Sequence, residues 1–220
     1  MIIKNYGHAC FKLRSTEGTV VTDPYQNYVG FDLPNLSADV VTVSCDAPDH
    51  NNYPAIAQTT RRNNPFIIDH PGEYEVENIS VFVVQTYRDK NKGVERGDNL
   101  VCTFLLDGLR VCHLGALGHE LDEKTIKEIG LVDILFVPVG GGMTLGPKQA
   151  VSVARSLEPN IVIPMHYKTK QHDEKVFGEL ATLEDFLQAF ETEVEPQEKI
   201  NISGPDSLPE EMEVVVLRLQ

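Results

Sequence analysis

The sequence predicts an α/β fold: two mixed β-sheets with helices on their outer faces. Two observations carry this. The first half of the 220-residue chain is a series of short apolar runs separated by Gly, Pro and Asn turn signals, the pattern of strands. From residue 122 onward, helical periodicity alternates with apolar runs, the order expected when helices cover sheets from outside.

Taken in order, the apolar runs predict strands at 2–5, 9–14, 19–23, 39–43, 66–69, 79–84, 99–106 and 109–113. Asp107-Gly108 between the last two reads as a tight hairpin turn. A helix over 122–129 follows, with Asp122 able to cap it, then a strand over 133–137. Pro147 suits the first turn of a helix over 147–157, ahead of a strand over 160–164. Residues 170–180 read as a polar connection, and Thr182 caps a helix over 182–191. Strands near 198–202 and 213–219 close the chain. With no internal repeat and no linker, residues 1–220 read as one domain.

Composition narrows the function classes. Hydrophobic residues make up 41% of the chain, enough for a sizeable core, and no low-complexity segment suggests disorder. No apolar run approaches the ~20 residues that span a bilayer, and the start lacks the pattern of a signal peptide. Cys10, Cys45, Cys102 and Cys112 are scattered without CxxC spacing, which points to reduced thiols in a cytoplasmic protein. A net charge of −14 repels phosphate backbones and anionic lipid. Arg61-Arg62 and Lys168–Lys170 are too sparse to reverse that. The expected partner is therefore a small molecule, not nucleic acid or membrane.

The chemistry centres on Val43-Ser44-Cys45-Asp46-Ala47-Pro48-Asp49-His50, which follows the apolar run Ala38–Val43. A strand ending in a loop with adjacent acidic and histidine side chains can aim several ligands at one point. Further along stand Tyr6-Gly7-His8-Ala9-Cys10-Phe11, Val21-Thr22-Asp23-Pro24 and His70-Pro71-Gly72-Glu73-Tyr74. Then come His113-Leu114-Gly115, Val137-Pro138-Val139-Gly140-Gly141 and Ile163-Pro164-Met165-His166-Tyr167. In this order the segments resemble the metallo-β-lactamase superfamily, in the branch of ascorbate-6-phosphate lactonase and related Zn-dependent hydrolases. The resemblance covers nearly the whole chain. It implies a four-layer αββα sandwich with a metal site at one edge between the sheets.

An intact site of this superfamily holds two metals bridged by hydroxide, using a His-x-His-x-Asp-His motif, later histidines and a bridging aspartate. A hydroxide so held is a strong nucleophile at neutral pH. On this chain the resemblance puts Cys45 and Ala47 at the two leading histidines, and Ala116 at the bridging aspartate. Arg88 is the best match for the later-loop histidine. Asp49, His50 and His166 remain, enough for at most one zinc with water in the fourth position; a metal-free site is the other reading.

Around that set, His8 and Asp49 are the candidates for moving protons, and His8 and Asp23 match positions beside the site. Arg88 either returns positive charge to the vacated site and pairs with Asp49, or is an exposed loop residue. Cys45 reads as a small buried filler or as a ligand or reactive thiol. His113 is expected to point into the cavity, and His119 to lead into a helix. Tyr167 and Lys168 are either substrate contacts beside His166 or solvent-facing loop residues.

The reading favoured is a superfamily member with a degraded dinuclear site, little or no hydrolase activity, and a small-molecule-binding role. The alternative is a mononuclear zinc hydrolase of a lactone, ester or phosphoester through Asp49, His50 and His166. Thiol chemistry at Cys45 lacks a visible base and orienting partner. Self-association is expected only by analogy with the lactonase relatives.

Overall fold

In the computed structural model, which describes residues 1–220, the N-terminal strands bury alternate side chains as their pattern requires. Strands β1 (Ile2–Asn5), β2 (Phe11–Arg14) and β3 (Thr19–Thr22) turn Ile3, Phe11, Leu13 and Val20 inward. They pair antiparallel in sequence. Parallel strands β4 (Val40–Thr42) and β5 (Phe66–Ile68) extend one edge beyond β3.

The second sheet begins with β6 (Gly72–Val76), β7 (Ile79–Tyr87), β8 (Asp98–Leu106) and β9 (Leu109–His113) as an antiparallel meander. Helix α1 (Glu123–Ile129), strand β10 (Ile134–Pro138), helix α2 (Pro147–Leu157) and strand β11 (Ile161–Met165) follow, with β9, β10 and β11 parallel. Then come α3 (Glu174–Phe177), α4 (Leu183–Phe190), β12 (Ile200–Asn201) and β13 (Glu213–Val214). Strand β12 joins the first sheet beside β1, and β13 joins the second beside β11.

The two mixed sheets pack face to face over a core that includes Phe11, Leu13, Phe104, Phe136 and Ile163. A second core, with Ala150, Val153, Leu157 and Phe186, seals α2 and α4 onto the second sheet. The first sheet is covered differently. Loops and the single turn of α3 lie over part of its outer face, where Phe177 packs with Val21, Val41 and Tyr25. The rest of that face, around Lys4 and Lys12, stays open. No helix is long and apolar enough to cross a membrane.

The caps fall where the sequence puts them: Asp122 accepts from the Thr125 amide, and Thr182 from the Asp185 amide. Two elements escape the sequence reading. Strand β6 exposes most of its side chains at a sheet edge, so it carries little hydrophobic signal. Helix α3 is one turn inside the polar connection. The C-terminal strands are also shorter than expected, with isolated bridges at Leu217 and Leu219 continuing the second one.

Two loops are locked together at the edge where the site forms. Asp23, fully buried, accepts from the Ser44 amide at 2.7 Å and the Ser44 hydroxyl at 2.6 Å, fixing the loop after β4. Gly115, at φ +61°, lies so close that a Cβ there would sit 2.4 Å from the Ser44 Cβ. Asn99 then receives the Ala116 amide at 2.7 Å. Gly115→Ala therefore meets both a strained backbone and a clash, and should cost about 2 kcal/mol or more. Urea denaturation monitored by circular dichroism measures the loss.

Candidate metal centre

Four side chains from three distant stretches converge at this edge. His8 lies in the β1–β2 turn, Asp49 and His50 in the loop after β4, and His166 directly after β11. Their ligand-type atoms all lie within 4.8 Å of one another, and all four residues are buried. The turn that carries His8 is closed by its own backbone, Tyr6 N–H to Cys10 O and Cys10 N–H to Gly7 O, each 2.8 Å. The His166 amide donates to the His8 carbonyl at 2.9 Å, tying the end of β11 to that turn.

His8, Asp23 and His166 have φ of 55°, 39° and 55°. Such left-handed backbone at non-glycine residues costs about 1–3 kcal/mol each and clusters at functional sites.

Asp49 is the hub. Its Oδ2 lies 3.2 Å from His8 Nε2 and 3.8 Å from His166 Nε2, and its Oδ1 lies 3.1 Å from His50 Nδ1. Burial alone would raise this carboxyl, but the His50 charge and the close imidazoles of His166, His50 and His8 hold it well below the usual carboxylate range. Burial disfavours charged His50 too. Cys45, Asp49 and Asp23 outweigh that and push its imidazole well above the ordinary value. Burial, with repulsion from His166, keeps His8 well below it; burial likewise lowers His166.

The hydrogen-bond directions fix where the His8 proton sits. The Thr169 amide, which can only donate, points at His172 Nδ1 at 3.0 Å. His172 therefore carries its proton on Nε2, which lies 3.2 Å from His8 Nδ1. That nitrogen accepts, so the His8 proton is on Nε2, facing Asp49. His8 orients the carboxylate; it does not offer it a lone pair. His172 was invisible in the sequence, inside the polar connection.

A metal ion fits what remains. Neither His50 ring nitrogen has a properly directed hydrogen-bond partner, although Nδ1 is close to Asp49, and His166 Nδ1 is also unpartnered. Buried imidazole nitrogens without partners are costly unless they serve a ligand. Two imidazoles and a carboxylate form a donor set that suits zinc.

The positions that the resemblance sets against the missing ligands form an apolar cluster. Cys45, Ala47 and Ala116 pack against one another, all buried. Arg88 does not refill the space or pair with Asp49: its Nη1 reaches the Arg96 carbonyl at 3.4 Å, and its Nε is buried without a partner. With Cys45 and Arg96 it lines an adjacent cleft of about 880 Å³. Tyr28 belongs to this side as well; burial and the nearby Asp49 push its hydroxyl up to about 12.

Three further expectations are corrected. His113 does not point into the cavity: its Nε2 donates to the Ala9 carbonyl at 3.0 Å, and its Nδ1 accepts from the Gly115 amide, so it is a satisfied core histidine. Tyr167 packs towards α4, where burial and Glu184 raise its hydroxyl to about 12. Lys168 binds Glu174 at 2.8 Å and the Gly178 carbonyl at 2.7 Å, pinning α3 instead of facing a substrate. His119 does precede α1, stacked near Tyr87.

The comparisons agree with the geometry. Residues 2–166 match the beta-lactamase superfamily domain. A UPF0173 metal-dependent hydrolase of Anoxybacillus flavithermus is 25% identical over 198 residues, 77% of this chain and 87% of that protein. One from Thermococcus onnurineus is 27% identical over 191 residues, covering 76% and 84%. A crystal structure from Thermotoga maritima, described as a candidate Zn-dependent hydrolase of the metallo-β-lactamase superfamily, superposes with a TM-score of 0.79. It is 37% identical and covers 98% of this chain and 97% of its own.

The relay from His172 can be tested by metal affinity. His172→Leu removes the donor that sets the His8 tautomer and should weaken zinc binding about 10–100-fold. His172→Gln retains an N–H donor and should stay within about threefold of the unmodified protein. Competition with a chromophoric chelator measures both. From the matched domain, the superposition on the Thermotoga maritima structure and the buried His/Asp cluster, the chain belongs to the metallo-β-lactamase superfamily.

Proposed function

We propose that the protein holds one divalent metal ion, zinc by its donor set, on Asp49, His50 and His166, and performs little or no hydrolysis. The observation that carries this is the apolar packing of Cys45, Ala47 and Ala116, which leaves the Cys45 thiol as the one donor among these three side chains for a second ion. The relatives named as metal-dependent hydrolases support the metal and set the reaction class from which this chain departs.

A bound ion would supply Lewis acidity and a water of lowered pKa. The chain's own residues do the rest. His8 holds Asp49 in orientation through its Nε2 proton. Asp49 is buried among three imidazoles and does not line the cleft, which leaves it poorly placed to act as a base there. The centre itself is buried, and the wall of the neighbouring cleft is formed by Cys45 and Arg88, not by the ligands. A role in binding a small molecule in that cleft fits this arrangement. One feature favours a second reading, a mononuclear hydrolase of an ester, lactone or phosphoester: the cleft is polar and carries Arg88 and Arg96, which suit an anionic substrate.

Elemental analysis of untagged protein purified without chelator should find no more than one metal per chain, lost in His166→Ala. With zinc or manganese added, turnover on lactone, phosphodiester and β-lactam substrates should be negligible. Combining Cys45→His, Ala47→His, Arg88→His and Ala116→Asp should raise occupancy towards two. Robust metal-dependent turnover by the unmodified protein, abolished by His166→Ala, would establish the second reading instead.

A further inference from the structure

The open part of the first sheet's outer face is a groove of about 770 Å³ that lies apart from the metal centre. Lys4, Lys12, Arg14, Arg61 and Lys199 line it, five of the chain's 19 Lys and Arg residues. This is a concentrated positive field on a chain of net charge −14. None of the five forms an ion pair with a carboxylate.

The strand register makes the clustering costly. Lys4 stands directly opposite Lys12 on the neighbouring strand, and Arg14 lies two residues further along the same face. Like charges directly opposite on paired strands destabilise a sheet. Burial and the charges of Arg14 and Lys4 lower the Lys12 amine from its ordinary value, outweighing the attraction of Asp39. The groove's one carboxylate, Asp39, is buried and already engaged by the Thr19 amide at 2.8 Å and by the Thr59 hydroxyl. Arg61 is held in place by the carbonyls of Glu17 and Thr16, which accept its protons without neutralising it.

Ser15, Ser37, Thr60 and Gln58 add hydroxyl and amide groups to the wall, beside Ile2 and Tyr6. Cations interspersed with hydroxyl donors match the oxygens of phosphate groups, and the volume is that of a small-molecule site. We propose that this groove is a second binding site, taking a small molecule that carries two or more phosphate groups. Its modest volume favours such a ligand over a polymer.

Inorganic pyrophosphate is the probe. Titrated into the full chain at low salt and followed by amide NMR, it should saturate and shift residues of β1, β2 and Gln58. Lys12→Gln combined with Arg14→Gln, both on a solvent-facing strand surface, should weaken binding about tenfold or more without changing the circular dichroism. Raising the salt should weaken binding to the unmodified protein as well. His166→Ala should leave it unchanged, which separates this site from the metal centre. Absence of saturation, equal affinity in the double variant, or shifts centred on Asp49 and His50 would each overturn the proposal.

Discussion

A carboxylate removed from water must be paired, and the placement of Asp49 organises this edge of the molecule. Leaving such a charge without partners costs several kcal/mol. Its partners come from the β1–β2 turn, from its own loop and from the end of β11, so one charge joins the edges of both sheets. The left-handed conformations at His8 and His166 follow from that demand, since ordinary strand geometry would carry each imidazole past the carboxylate. The same demand reaches further through His8 to His172 and the Thr169 amide, making a polar connection part of the centre.

Beside the centre the opposite rule holds. A cation is held only where donors outweigh its desolvation. Cys45, Ala47 and Ala116 are small and apolar enough to close on one another, so packed surface and not a polar void stands there. Arg88 stays at the cleft, with the Arg96 carbonyl as the partner of its Nη1. Asp23 pins Ser44, a structural task that does not depend on a metal.

Asp49, His50 and His166 were legible in the sequence through the resemblance of their segments to the superfamily motifs, and the structure brings them together from the loop after β4 and the end of β11. The helices were legible through Asp122, Pro147 and Thr182, whose capping chemistry is local. His172 was not, since its bond to His8 joins residues 164 apart and no periodicity marks it. Tyr167 and Lys168 misled for a related reason: the left-handed turn at His166 sends its successors away from the ligand they follow. His113 misled because a histidine can be fully satisfied by backbone groups, here Ala9 and Gly115, and sequence does not distinguish that from a free ligand.

Net charge is an average and not a field. Lys4, Lys12, Arg14, Arg61 and Lys199 are dispersed along the chain, and only the sheet brings them to one face. The hairpin of β1 and β2 carries both features: Lys4 and Lys12 on its outer face, His8 in its turn. Coupling between two sites needs an element with two alternative states. This hairpin has a turn closed by its own backbone bonds and an inner face locked by Ile3, Phe11 and Leu13 in the core. A rigid element of that kind transmits no preference, so an anion on the outer face and a metal at the turn should bind independently.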